Sequence, residues 1–119
     1  MTIKKQKNKF DVKVFNPAVD VYLTVTIGNA QIGSSRIEWN DENRTFAKGE
    51  ISNLKLGPDN VVENRTLDVT TTILDANLAT NGAVVTYYFH NCETVTITLT
   101  DTIDIEGGIV SFISQINFV

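Results

Sequence analysis

The chain has a single cysteine, Cys92, so no disulfide can close within it and an apolar core has to hold the fold. It has one histidine, and one His with one Cys leaves two places of a tetrahedral zinc site to carboxylates, which excludes a zinc centre of the usual Cys/His composition. No apolar run approaches the roughly 18 residues of a membrane-spanning helix. Nor does any segment carry the three-to-four-residue apolar spacing of a packed helix. Residues 1–9, MTIKKQKNK, begin like the positive end of a signal peptide, but FDVKVFNPAVD follows with charges where the long apolar region belongs. Neither a cleaved leader nor a membrane span is expected.

Basic charge is missing from the second half. No Lys or Arg follows Arg65, while Asp68, Asp75, Glu93, Asp101, Asp104 and Glu106 lie beyond it, and the net charge is −4. A body of this kind repels a polyanion at close range, which argues against nucleic-acid binding. Four of the ten basic residues are Lys4, Lys5, Lys7 and Lys9. Residues 1–9 are therefore expected as a flexible, solubilising lysine-rich arm, and 10–119 as a single domain, a length sufficient to bury a core.

What the sequence has in abundance is alternation. In TVTITLTDTIDIE, residues 94–106, Val95, Ile97, Leu99, Ile103 and Ile105 share one parity while the threonines, Asp104 and Glu106 share the other. Period two places successive side chains on opposite faces of a sheet, so this stretch predicts a strand with Ile97 at the middle of its inward face. VDVYLTVTI (19–27), TLDVTTTILD (66–75) and VVTYYFHN (84–91) repeat the pattern, and FDVKVFN (10–16) is a shorter version that Asn16-Pro17 interrupts. Residues 30–39 are less regular and predict an irregular or edge strand. Between Phe46 and Leu56, Ile51 falls out of register with Leu54 and Leu56, which predicts either a bulge near Gly49 or two short pieces. GPDN at 57–60 reads as a turn, and residues 75–82 as a long hairpin tip. About eight strands and no helix longer than two turns predict an all-β, two-sheet antiparallel sandwich of immunoglobulin-like or jelly-roll type, with a small closed barrel as the alternative.

Candidate chemistry is sparse. His90 and Cys92 are two apart and share a strand face if the strand continues, the least a thiolate nucleophile requires. No motif surrounds them, and a free cysteine more often acts as a small buried apolar group. Asp75, Asn77, Asp101 and Asp104 offer oxygen ligands for calcium, but residues 75–86 lack the glycine and glutamate of the helix-loop-helix calcium pattern. Asp101 has the inward parity of its strand, so it needs a partner, a cation or a wet strand end, and the wet end is the expectation. Asn43-Arg44-Thr45 and Asn64-Arg65-Thr66 fit the glycosylation pattern but read as turns. No serine-nucleophile motif, phosphate loop or flanked carboxylate pair occurs, so neither catalysis nor a cofactor is expected.

Two functional classes follow. The first is a structural or assembly module that contacts other protein subunits, copies of itself or a larger complex, through sheet faces or edges. The second is a ligand-binding module, calcium-dependent or taking a glycan through Tyr, Asn, Asp and Trp side chains. The final run, IVSFISQINFV, favours the first. It sets Val110, Phe112, Ile116 and Phe118 on one face, while Ile109, Ile113 and Val119 make the opposite face apolar too. One sandwich core cannot lie on both sides of one strand, so the second set should be covered by another subunit, by the N-terminal segment, or by a bend that carries the strand between sheets.

Overall fold

The computed structural model describes residues 3–15, 18–76, 80, 82–103 and 108–119. The strands are β1 (Ile3–Val12), β2 (Asp20–Ile27), β3 (Ile32–Trp39), β4 (Thr45–Gly49), β5 (Ile51–Pro58), β6 (Thr66–Leu74), β7 (Gly82–His90), β8 (Thr96–Thr102) and β9 (Ile109–Phe118). One four-residue helix, α1 (Asp59–Val62), follows β5, where Pro58 and Asp59 of the expected turn lead into a single helical turn. The strands form a five-stranded sheet, β1-β9-β6-β3-β4, and a four-stranded sheet, β5-β2-β7-β8. The fold is a β-sandwich and not a closed barrel. Every pairing between these strands is antiparallel except β1 with β9.

Alternation placed the core correctly in the middle strands. Leu23, Val85, Tyr87 and Phe89 point inward from the four-stranded sheet and meet Leu67, Ile73, Val110, Phe112, Ile116 and Phe118 from the other, all essentially without solvent contact. Phe118 packs its ring 6.0 Å from Phe89 and 6.1 Å from Trp39, edge-on or tilted, the arrangements the aromatic quadrupole favours. The hydroxyls inside are paired: Ser35 Oγ lies 2.8 Å from Thr71 Oγ1, and Tyr87 Oη bridges the sheets to Ser114 Oγ at 3.1 Å.

Of four local expectations, the first is met in its two-piece form and the other three need correction. The ambiguous segment from Phe46 to Leu56 is two strands in different sheets: β4 ends at Gly49, the chain crosses at Glu50, and β5 begins at Ile51. Gly49 has φ +96 and an added Cβ there would meet nothing within 4 Å, so glycine serves the backbone reversal and not a close approach. The bulge sits further on, at Asn53, whose φ is +49 and whose N–H donates to Thr24 Oγ1, and it moves Ile51 out of step with Leu54 and Leu56. Second, residues 30–39 are not an edge. β3 lies between β6 and β4, and its irregular pattern reflects the inward Gly33 and Ser35.

Third, the strand within the most regular stretch, β8, is a border. β8 is the outermost strand of the four-stranded sheet, Ile97 is half-buried and Val95 is exposed, while residues 104–107 lie outside the described set. A clean two-faced pattern follows from having one face in water, and an edge strand satisfies that as well as a central one does. Fourth, the lysine-rich start is not an arm. Residues 3–12 form β1, paired in parallel with β9 from Ile3↔Ile109 to Val12↔Phe118. Its lysines occupy the outer border of the sheet, where charge discourages edge-to-edge association.

Candidate functional site

The His90–Cys92 pair is pulled apart by the backbone. β7 ends at His90, Asn91 takes φ +68, and the chain turns so that His90 stays on the outer face against Tyr22 while Cys92 is buried in a bridge with Val14. Burial first, and the negative charge of Asp59 second, push the Cys92 thiol up to about 11. That is the reverse of an activated nucleophile, which needs its thiolate near neutral pH.

The acidic candidates separate as well. Asp75 is buried at the end of β6, where Gln31 Nε2 donates to Oδ1 at 3.0 Å. Asp101 lies on β8 with a side chain only 12% exposed, and its partners come from within the chain: Lys4 Nζ lies 2.7 Å from Oδ1, Gln6 Nε2 donates to Oδ2 at 3.0 Å, and the Thr102 N–H donates to Oδ1 at 2.7 Å. The supposed arm thus supplies the partner of the inward-facing acid. Gln6 and Lys4 also donate to the Thr100 and Thr102 carbonyls, so β1 side chains close the open flank of the sandwich against β8. Asn77 and Asp104, the other calcium candidates, lie outside the described residues. Among the described residues, no three His, Cys, Asp or Glu side chains gather where they could hold one ion.

Burial is the largest influence on Asp101 and raises its pKa, but the bonds from Lys4, Thr102 and Gln6 together with the lysine charge outweigh it, and the net shift is downward. A carboxyl held below its unfolded value contributes stability above the unfolded pKa and loses it as pH falls through the folded one. Asp101→Asn is therefore expected to cost about 1 kcal/mol at pH 7, discounted because Lys4 is half exposed. The difference from wild type should shrink below the ordinary aspartate value of 3.8. Urea midpoints measured from pH 7 to pH 3 check this, and a constant difference would dissociate the ion pair from stability.

The second face of β9 is the outer face of the five-stranded sheet. Ile109 and Ile113 are half-buried there, and Val119, just past the strand end, is 44% exposed. Cross-strand register adds residues that local periodicity had not joined to them. Ile3 pairs with Ile109, Ile109 with Leu74, and Leu74 with Ile32, all on this face. The result is one unbroken aliphatic row across four strands. Ile3, Leu74 and Ile32 are 54%, 38% and 62% exposed. The next rows of this face carry Lys5 and then Lys7 with Ile113, Thr70, Arg36 and Lys48. Leu74 was readable as an outward exception, but nothing near Ile3 or Ile32 in the sequence says that they meet.

The outer face of the four-stranded sheet is of another kind. Its rows are Tyr22 and His90; Thr24, Tyr88 and Thr96; Thr26, Thr86 and Thr98; then Val84 and Thr100. Across β2, β7 and β8 the one described charge on this face is Asp20, paired with Lys55 at 3.4 Å. Trp39, a glycan candidate from its residue type, is not available, being buried between Phe46 and Phe118 with the Arg65 guanidinium 4.0 Å over its ring. Comparison with protein-family models, with curated proteins and with solved structures finds no match for this chain.

Proposed function

We propose that the protein is a noncatalytic assembly module that contacts other protein subunits, copies of itself first of all, through the outer face of its five-stranded sheet. The observation that carries this reading is the aliphatic row Ile3, Ile109, Leu74 and Ile32. Of the three ways to cover the second face of β9, two find no support in the topology. The N-terminal segment lies beside β9 as a paired strand and not over it, and β9 stays in one sheet from Ile109 to Phe118. Cover by another subunit is left, and an apolar row rimmed by lysine, arginine and threonine has the apolar-centre, polar-rim character of protein contacts.

The test is sedimentation velocity over a hundredfold range of concentration with wild type and the double variant Ile32→Lys, Leu74→Lys. Wild type is expected to associate and the double variant to sediment as a monomer. Both positions face outward, so unfolding should move by no more than about 0.5 kcal/mol for each change. A wild-type chain that stays monomeric throughout, or an oligomer indifferent to both lysines, would overturn self-association through this face.

A further inference from the structure

We propose that the opposite side of the sandwich, the outer face of the four-stranded sheet, is a binding face for a neutral polysaccharide. The reading goes beyond assembly and uses none of the residues of the aliphatic row.

Charge selects the partner. Three adjacent strands present tyrosine, threonine, histidine, valine and glycine outward, and the one described charge among them, Asp20 at the border, is already neutralised within the chain by Lys55. An ionic partner brought onto such a surface would lose hydration without gaining a counter-charge. The five-stranded face is the contrast, with Lys5, Lys7, Arg36 and Lys48 in neighbouring rows. The uncharged face suits an uncharged ligand.

Side-chain chemistry narrows the class further. Thr26, Thr86 and Thr98 form one row across three strands about 4.8 Å apart, with the Thr86 and Thr98 hydroxyls 3.4 Å from each other, and successive outward residues on one strand repeat at about 6.8 Å. A hydroxyl-rich ligand loses water on binding and is held only if each buried hydroxyl regains a hydrogen bond, which a lattice of threonine donors and acceptors offers. Tyr22 and Tyr88 occupy diagonal positions on β2 and β7, Tyr22 sits edge-on to His90 at 6.2 Å, and Tyr88 is 45% exposed. Phenol rings with an apolar body and a polar tip can take the C–H face of a sugar ring while the hydroxyls around them take its edges. An aliphatic partner would leave the hydroxyls unmatched, and an extended carbohydrate chain matches both.

The experiment is affinity electrophoresis of the native chain in gels containing hydroxyethyl cellulose, galactomannan, xyloglucan or laminarin, with heparin as the charged control. At least one neutral gel is expected to retard the wild-type chain, and heparin is not. Tyr88→Thr keeps a strand-forming residue at an exposed position and should weaken retardation about tenfold, the value of one aromatic contact. Thr86→Lys places a charge in the middle of the face and should abolish it. The idea falls if none of the four gels retards wild type, or if both variants migrate like wild type in a gel that does. It falls equally if Thr86→Lys instead alters the sedimentation of the protein, because the face would then be a protein contact. A wild-type chain that is retarded but stays monomeric at every concentration would condemn the assembly reading alone.

Discussion

Phe118→Ala is expected to cost about 3–5 kcal/mol, the range for removing a fully buried aromatic ring. The ring is without solvent contact and lies between Phe89 of the other sheet and Trp39 of its own. The strand end around it cannot collapse into the space, because the Phe118 N–H donates to the Arg65 carbonyl and its own carbonyl accepts from Asn64. A cavity would therefore persist, adding to the lost transfer energy. Urea unfolding followed by tryptophan fluorescence should show a much lower midpoint with an unchanged slope, since the surface exposed on unfolding is nearly the same. A loss below about 1 kcal/mol would mean that the two sheets do not meet at this ring.

Gly33→Ala should destabilise by about 1–3 kcal/mol, the cost of forcing extra volume into a packed site. Two effects of opposite sign compete. Alanine lowers the entropy of the unfolded chain, which favours folding by about 0.4–1 kcal/mol where the native backbone accepts it. Here the added Cβ would press into the Thr72 carbonyl oxygen, and would lie 2.8 Å from Ile27 Cδ1 and 3.2 Å from Ile73 Cα. The isoleucine tip can rotate, but Thr72 and Ile73 belong to β6, held by β3 on one side and β9 on the other. Steric cost wins because the backbone has nowhere to move. Calorimetry should give a lower melting temperature, and a rise would show that β3 and β6 are further apart at Gly33 than they are here.

Cys92 shows where a short-range argument stops. Two residues from His90, it shares a face only while the strand continues, and the positive φ of Asn91 ends that relation. Asn91 tolerates the left-handed region better than most residues, so a turn there was legible, but its direction was not. Asp101 shows the same limit from the other side. Its inward parity and its need for a partner could be read from residues 94–106, whereas the partner lies in a lysine-rich segment that local composition marks as solvated.

By itself the sequence determined that the protein is all-β, which residues face the core along β2, β6, β7 and β9, and that β9 is apolar on both sides. These are consequences of period two, a property that each strand carries within a few residues. Tertiary structure alone decided that the most regular strand is an edge, that the lysine-rich start pairs in parallel with the end of the chain, and that Ile3, Ile109, Leu74 and Ile32 form one row. It likewise decided that threonines and tyrosines from three strands share one uncharged face. The physical reason is that a strand's own alternation says which way each side chain points but not which strand comes alongside it. Neighbour and register are chosen by the packing of the whole core, across separations of more than a hundred residues.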